Sequence, residues 1–222
     1  MDAIILDTET TDKDPPLEVI ELAWQSANGF EGAVFRFWPE GQIKLGAMAV
    51  HHILLSDLAG KPSAVEALKR VPAAKYWIGH NIDFDWKALG QPAGMKRICT
   101  LAMSRALFPD LDSHTLTAMI YHIKGANPNT RLLVQGAHSA LEDIGLCALL
   151  YDKCCRCAGI DKEDYEKMFV YSEAARVPTR WTFGKFKGEP ISRADRGYAN
   201  WYQKQPDPDP YLIEALRRAR LL

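Results

Sequence analysis

No uncharged apolar stretch in this chain approaches the roughly 18 residues a membrane-spanning helix requires, so no helical membrane anchor is expected. The opening MDAIILDTETTD carries an acid at position 2 and no basic stretch, which predicts no signal peptide. Cysteine is scarce: five residues, an odd number and partly adjacent, do not make a secreted disulfide framework. These absences together point to a soluble, cytoplasmic protein. Neither sign of charge dominates. With 27 Lys and Arg against 28 Asp and Glu the net charge is −1, which excludes capture of polyanions by bulk attraction. It leaves room for a local basic groove beside an acidic metal site, because a bound cation inverts the local field. Internal repeats and low-complexity segments are lacking too, and 47% hydrophobic with 25% charged residues is ordinary globular composition. At about 150 residues per domain, 222 residues predict one main domain with a smaller appendage.

The fold class expected is α/β. Ala3 to Leu6 is a short apolar run ending in Asp7 and reads as a buried strand. Further strands are expected over Glu18 to Trp24 and Ala33 to Trp38, joined by a turn at Asn28-Gly29, so three strands form a meander. Pro62-Ser63 opens a helix whose Val65, Leu68 and Val71 fit a helical period. Tyr76 to Ile78 is a fourth short strand, and helices follow at Thr100 to Leu107, Thr115 to Ile123 and Ser139 to about Cys157. The main domain is placed at residues 1–173, a linker at 174–180 (AARVPTR) and a small C-terminal α+β module at 181–222. In that module Trp181 to Phe183 and Glu189 to Ser192 flank a turn-rich stretch and predict a hairpin. Asp209-Pro210 marks a helix start.

Three acid-bearing segments stand out. Asp7 and Glu9 are two residues apart at a strand end, so their carboxylates share a face. Alone, the pair reads better as solvated acids at an exposed strand end. His80-Asn81-Ile82-Asp83-Phe84-Asp85 follows the fourth strand; Asn81 as a cap and two acids in a first helical turn account for it structurally. In His138-Ser139-Ala140-Leu141-Glu142-Asp143, Ser139 and Glu142 form a capping box, which puts His138 just before the cap and Asp143 at the fourth helical position. Those two positions normally meet as an apolar staple, and an imidazole with a carboxylate there points to a site. Four convergent carboxylates and a histidine suit two hard divalent cations and a general base acting on water.

The strings DTETT (Asp7 to Thr11), HNxxFD (His80 to Asp85) and HxAxxD (His138 to Asp143) resemble, in order, the three motifs of the DEDD exonucleases, histidine subclass. The resemblance runs from about residue 3 to residue 157. Met48 to His51 followed by Ile53 is similar to a short segment of that family containing His-Gly-Ile, with His52 in the glycine's place. The tail string FGKFKGEPIS (Phe183 to Ser192) with Tyr198 and Trp201 resembles the C-terminal segment of one member.

The resemblance implies a ribonuclease-H-like mixed sheet flanked by helices and a metal-dependent 3′–5′ exodeoxyribonuclease that releases nucleoside 5′-monophosphates. It implies that Asp7, Glu9 and Asp143 hold one of two cations, Mg²⁺ or Mn²⁺, that Asp7 bridges to the second and Asp85 supports it, and that His138 is the general base. Asp83 competes with Asp85 in sequence, and the family pattern favours Asp85. Substrate contacts are implied for Thr10, Thr11, His51, His80, Asn81 and Phe84. The implied partner is a DNA 3′ end, with RNA as an alternative substrate; other readings are a polymerase-associated proofreading subunit and a non-catalytic nucleic-acid-binding module. Where the family places glycine and an apolar wedge after DTETT, this chain has Asp12 and Lys13, so single-stranded ends are the expected preference and Lys13 a candidate phosphate contact.

Cys154, Cys155 and Cys157 have no second ligand pair at zinc spacing and are expected to be free thiols. Basic and aromatic residues interleave in the tail as in single-strand stacking surfaces. There Lys185 and Lys187 are the nucleic-acid candidates, with Trp181 and Trp201 expected in the module's core.

Overall fold

The computed structural model describes residues 1–135 and 139–222, so His138 lies outside the described residues. The chain divides into two compact units, residues 1–172 and 173–222.

The first unit is built on a five-stranded mixed sheet. Its strands are β1 (Ala3–Thr10), β2 (Val19–Ser26), β3 (Gly32–Arg36), β4 (Tyr76–Gly79) and β5 (Lys96–Cys99), in the order β3-β2-β1-β4-β5. β1 to β3 are an antiparallel meander, while β4 and β5 join parallel to β1 and to each other. β1 is central and covered on both faces, which is why Ala3, Ile4, Ile5 and Leu6 form a continuous apolar run rather than an alternation. At the edge, β3 alternates exposed and half-buried residues.

The helices are α1 (Leu45–His51), α2 (Ile82–Ala88), α3 (Thr100–Leu107), α4 (Leu116–Lys124), α5 (Pro128–Val134), α6 (Ala140–Ala158), α7 (Tyr165–Arg176), α8 (Arg196–Gln203) and α9 (Pro210–Arg218). α6 is the long one and packs on β1 and β2. Its buried Ile144, Cys147, Leu150, Tyr151 and Cys154 recur every three or four residues and meet Ala3, Ile5, Ala23 and Ile78 in the main core. Each such aliphatic side chain contributes about 1.5–3 kcal/mol by burial. Ser139 caps α6 by accepting the Glu142 amide at 3.4 Å, and Gly159 (φ 67°) ends it in the left-handed region.

Several expectations need correction. The segment after Ser63 is a 3₁₀ helix over Ala64–Arg70 that buries Ala67, while Val65 and Leu68 are exposed. Asn81 does not cap α2 through its side chain but sits in the left-handed region at φ 70°. The first three residues of the expected linker, Ala174 to Arg176, are the last turn of α7. In the tail the expected hairpin reduces to one isolated bridge, Arg180 with Pro190, beside 3₁₀ turns at Gly184–Phe186 and Ile191–Arg193. Flanks of three and four residues with a proline at 190 do not build a ladder, since proline donates no hydrogen bond.

The second unit packs α8 and α9 around its own core of Trp181, Ile191, Ala199, Tyr202, Leu212 and Leu216. Asp209 caps α9 through the Tyr211 amide at 2.9 Å, with Pro210 at the first helical position. Among the described residues, no helix is long and apolar enough to cross a membrane.

Candidate active site

The odd-numbered residues of β1 face α6. Ala3 and Ile5 fill the core there, and the same pleat carries Asp7 and Glu9 to the end of the strand. α6 presents Asp143 in its first turn to that place. One carboxylate oxygen from each of Asp7, Glu9 and Asp143 lies within 4.8 Å of the other two.

Asp85 arrives from α2 on the other side of the strand end. It is buried, and its Oδ1 accepts two hydrogen bonds from Thr8, from the amide at 2.9 Å and from the hydroxyl at 2.8 Å. It stands outside the 4.8 Å group but close enough for its charge to act on Asp7. Asp83, two residues earlier, is drawn to Arg97 instead. The two acids thus differ in direction: Asp85 faces β1, and Asp83 pairs with Arg97 of β5.

The electrostatics follow from burial and crowding. The Asp7 carboxyl is pushed well above the ordinary range, first by burial and then by the charges of Asp85, Asp143, Glu9 and Glu21. Glu9 is raised to about 8, again by burial first and then by Asp143, Glu21 and Asp85. Burial raises Asp85 to about 7 against the lowering effect of its Thr8 hydrogen bonds. Among the described residues, no Lys or Arg pairs with Asp7 or Glu9. Such a group is held together by protons or by a cation, and carboxylate oxygens at this spacing are the donor set hard divalent cations take.

A fifth acid escaped the sequence reading. Glu21 lies opposite Glu9 in the β1–β2 register and is buried at 2% exposure. One oxygen accepts the Ala140 amide at 3.0 Å, and the other accepts Arg36 Nε at 2.6 Å. Ala140 opens α6, and its amide is one of the donors a helix leaves without an internal partner. Glu21 thus ties the start of α6, and with it Asp143, to the sheet. The available signal was a single acid inside the apolar run of β2 (VIELAW).

The other candidates divide. Thr10 and Thr11 are buried, with the Thr10 hydroxyl donating to Asp12 O at 2.6 Å and Thr11 Oγ1 accepting the Glu18 amide at 3.3 Å. Their side chains build the loop instead of projecting from it. His80 is spent as well: Nδ1 meets Thr100 Oγ1 and Nε2 meets His114 O, both at 3.0 Å, and burial lowers its pKa to about 4. The expected role of that ring in substrate contact does not fit a histidine engaged at both nitrogens. His51 is buried, and its Nδ1 accepts the Ile53 amide at 2.9 Å, which leaves the proton on Nε2. His52, standing where the family segment has glycine, adopts φ 57°. Asn81 and Lys13 are exposed and Phe84 is half-buried.

No model of a protein family matches the chain. Individual proteins do. It is 27% identical over 166 residues to exodeoxyribonuclease 10 of Escherichia coli (strain K12), covering 73% of this chain and 72% of the relative. It is 31% identical over 170 residues to the DNA polymerase III subunit epsilon of Rickettsia felis, covering 67% of this chain and 71% of that one. Among solved structures, exonuclease X in complex with 5′ overhanging duplex DNA superimposes with a TM-score of 0.58 at 21% identity, over 75% of this chain and 99% of the other. The zinc-bound E. coli ExoI–ssDNA complex gives 0.57 at 18% identity, over 73% of this chain and 42% of the other. The shared sheet, the convergent acids and the 31% identity lead to one conclusion: the chain belongs to the DEDD family of 3′–5′ exonucleases.

Proposed function

We propose that this chain hydrolyses the 3′-terminal phosphodiester of DNA and releases nucleoside 5′-monophosphates one at a time. The observation that supports this most is the convergence of Asp7 and Glu9 from β1 with Asp143 from the first turn of α6. DNA as substrate follows the relatives, whose names and structures speak of exodeoxyribonuclease activity and of DNA complexes.

When bound, two divalent cations, Mg²⁺ or Mn²⁺, supply charge stabilisation at the scissile phosphate and lower the pKa of attacking water. Asp7, Glu9 and Asp143 are the residues that would hold the first. Asp7 would also serve the second, with Asp85, fixed by Thr8, in support. His138 takes the proton from the attacking water, a task suited to a group that titrates near neutral pH. Glu21 acts one step removed, by keeping Asp143 in place through Ala140. Cytoplasmic action agrees with the buried free thiols Cys99, Cys147, Cys154 and Cys155.

Lys13 is exposed in the loop after β1, where an apolar wedge would stand to fray a base pair. A lysine can contact a phosphate there but cannot replace a stacked base. Single-stranded ends are therefore the preferred substrate, since a duplex end must first unstack at a cost of a few kcal/mol per nucleotide.

The test uses a 5′-labelled single strand, the same strand annealed to its complement, and RNA of matched sequence, each with Mg²⁺ and with EDTA. The expected result is a ladder shortening from the 3′ end, fastest on single-stranded DNA and absent in EDTA. Equal initial rates on single strand and blunt duplex would remove the loop argument, and faster loss of RNA would replace DNA as the substrate. A second reading, a proofreading subunit active only within a polymerase assembly, is favoured by the likeness to the epsilon subunit of Rickettsia felis. Robust turnover by the isolated chain excludes it.

A further inference from the structure

The second unit differs from the first in charge. Residues 173–222 hold ten Lys and Arg against six Asp and Glu, whereas residues 1–172 hold 17 against 22. Trp181 is its anchor, 1% exposed, with the indole nitrogen donating to Ile191 O at 3.3 Å. Phe183, Tyr198 and Tyr202 surround it at 5.1–6.2 Å between ring centroids.

Two rings of this cluster are not core. Trp201 leans on Tyr198 at 5.1 Å and stays half exposed, and Phe183 leans on Tyr202 at 5.6 Å and is 38% exposed. The expectation that both tryptophans are structural thus holds for Trp181 and fails for Trp201. Next to them the loop Gly184–Gly188 carries exposed Lys185 and Lys187, and among the described residues neither is paired with a carboxylate. The loop is pressed onto the rings: a Cβ at Gly184, which sits at φ 69°, would lie 2.3 Å from Tyr198 Oη. Exposed aromatic faces fixed beside ammonium groups that lack a carboxylate partner, Lys185 Nζ lying 5.0 Å over the Phe186 ring, match a ligand that offers both flat rings and negative charge. Unpaired bases on a phosphate backbone are that ligand.

We infer that this face is a second nucleic-acid site, on which Trp201 and Phe183 stack bases of single-stranded DNA and Lys185 and Lys187 contact its phosphates. The choice of DNA rests on the reading above; the site itself rests on the module's own geometry. Because it is tethered to the exonuclease unit, it raises the effective concentration of a long strand without any new contact in the active site.

Binding is measured on the full chain in EDTA, by fluorescence anisotropy with a labelled 20-nucleotide oligothymidylate. Trp201→Ala should weaken binding by roughly tenfold, the usual worth of one stacked base, and Trp201→Phe should restore most of it. Replacing both Lys185 and Lys187 with alanine should flatten the slope of log affinity against log salt by about 1.4, at about 0.7 per phosphate on a single strand. A blunt duplex of equal length should not respond to Trp201→Ala. Equal affinity of parent and Trp201→Ala, a Phe variant as weak as the Ala variant, or an equal loss on duplex would each overturn the site. Turnover of a trinucleotide by the parent protein is read separately. Its absence would count against the proposed function and not against this face.

Discussion

Asp7→Asn abolishes measurable nucleotide release. Asp7 stands at the centre of the acid group: it lies within 4.8 Å of Glu9 and Asp143 and feels the charge of Asp85. In the proposed function it alone serves both cations. Losing several kcal/mol of charge stabilisation at the phosphate costs on the order of 10³-fold or more in rate. The amide is nearly the same size as the carboxylate, and it removes one of the mutually repelling charges, so the fold survives. Asp83→Asn is the matched control, because Asp83 pairs with Arg97 and stands outside the group of Asp7, Glu9 and Asp143. Initial rates of both variants on a single strand in Mg²⁺ check the pair. Near-parental turnover in Asp7→Asn, or an equal loss in Asp83→Asn, contradicts the assignment.

His138→Ala lowers kcat by about 10²–10⁴-fold, the range for a positioned general base, while affinity for the oligonucleotide in EDTA stays. The pH profile carries the sign. A base must be unprotonated to act, so the parent rate rises with pH through the histidine's titration and levels off above it. In the alanine variant that acidic limb flattens. An unchanged limb assigns the proton transfer to another group.

How far the sequence could be read depended on whether a residue's role was local. Asp7, Glu9 and Asp143 each sit at a boundary that short-range chemistry marks: an apolar run that stops at an acid, or a Ser-x-x-Glu box before an apolar period. The meander and the caps of α4, α6 and α9 are local in the same sense. β5 was invisible because Lys96-Arg97-Ile98-Cys99 has no strand periodicity; its charges are satisfied by Glu166 and Asp83, far away in sequence. α5 was not anticipated, although Asn127 before Pro128 supplies its cap and first-turn proline; the helix is only seven residues long. Glu21 was missed for a different reason. Its partner Ala140 is 119 residues away, and no spacing rule connects a mid-strand acid to the amide of a helix not yet placed. His80 shows the converse, since a motif histidine beside a catalytic-looking aspartate turned out to be held by Thr100 and His114.

The most direct test of the central claim, that these acids form a divalent-cation site, is a set of thermal melts at pH 6.5 and 8.0, in EDTA and in Mn²⁺. Glu9 at about 8 and Asp85 at about 7 keep protons in the metal-free folded protein that the unfolded chain, titrating near 4, has already lost. The folded state then binds more protons, so their contribution is full at low pH and fades as pH rises through 7 to 8. His80, at about 4, is neutral in the folded state throughout this window, while the unfolded imidazole is still half protonated at pH 6.5, so it opposes the fall, but by only about 0.4 kcal/mol. A cation replaces those protons and binds more strongly as they leave. At a hundredfold excess over Kd it adds about 2.7 kcal/mol, or roughly 5–10 °C for a chain of this size. The account predicts a Tm in EDTA that falls from pH 6.5 to 8.0, a Mn²⁺ increment larger at pH 8.0, and an Asp7→Asn variant that is more stable than the parent in EDTA at pH 8.0 and gains little from Mn²⁺. A Tm in EDTA that does not fall, with the same Mn²⁺ increment in parent and Asp7→Asn, would contradict it.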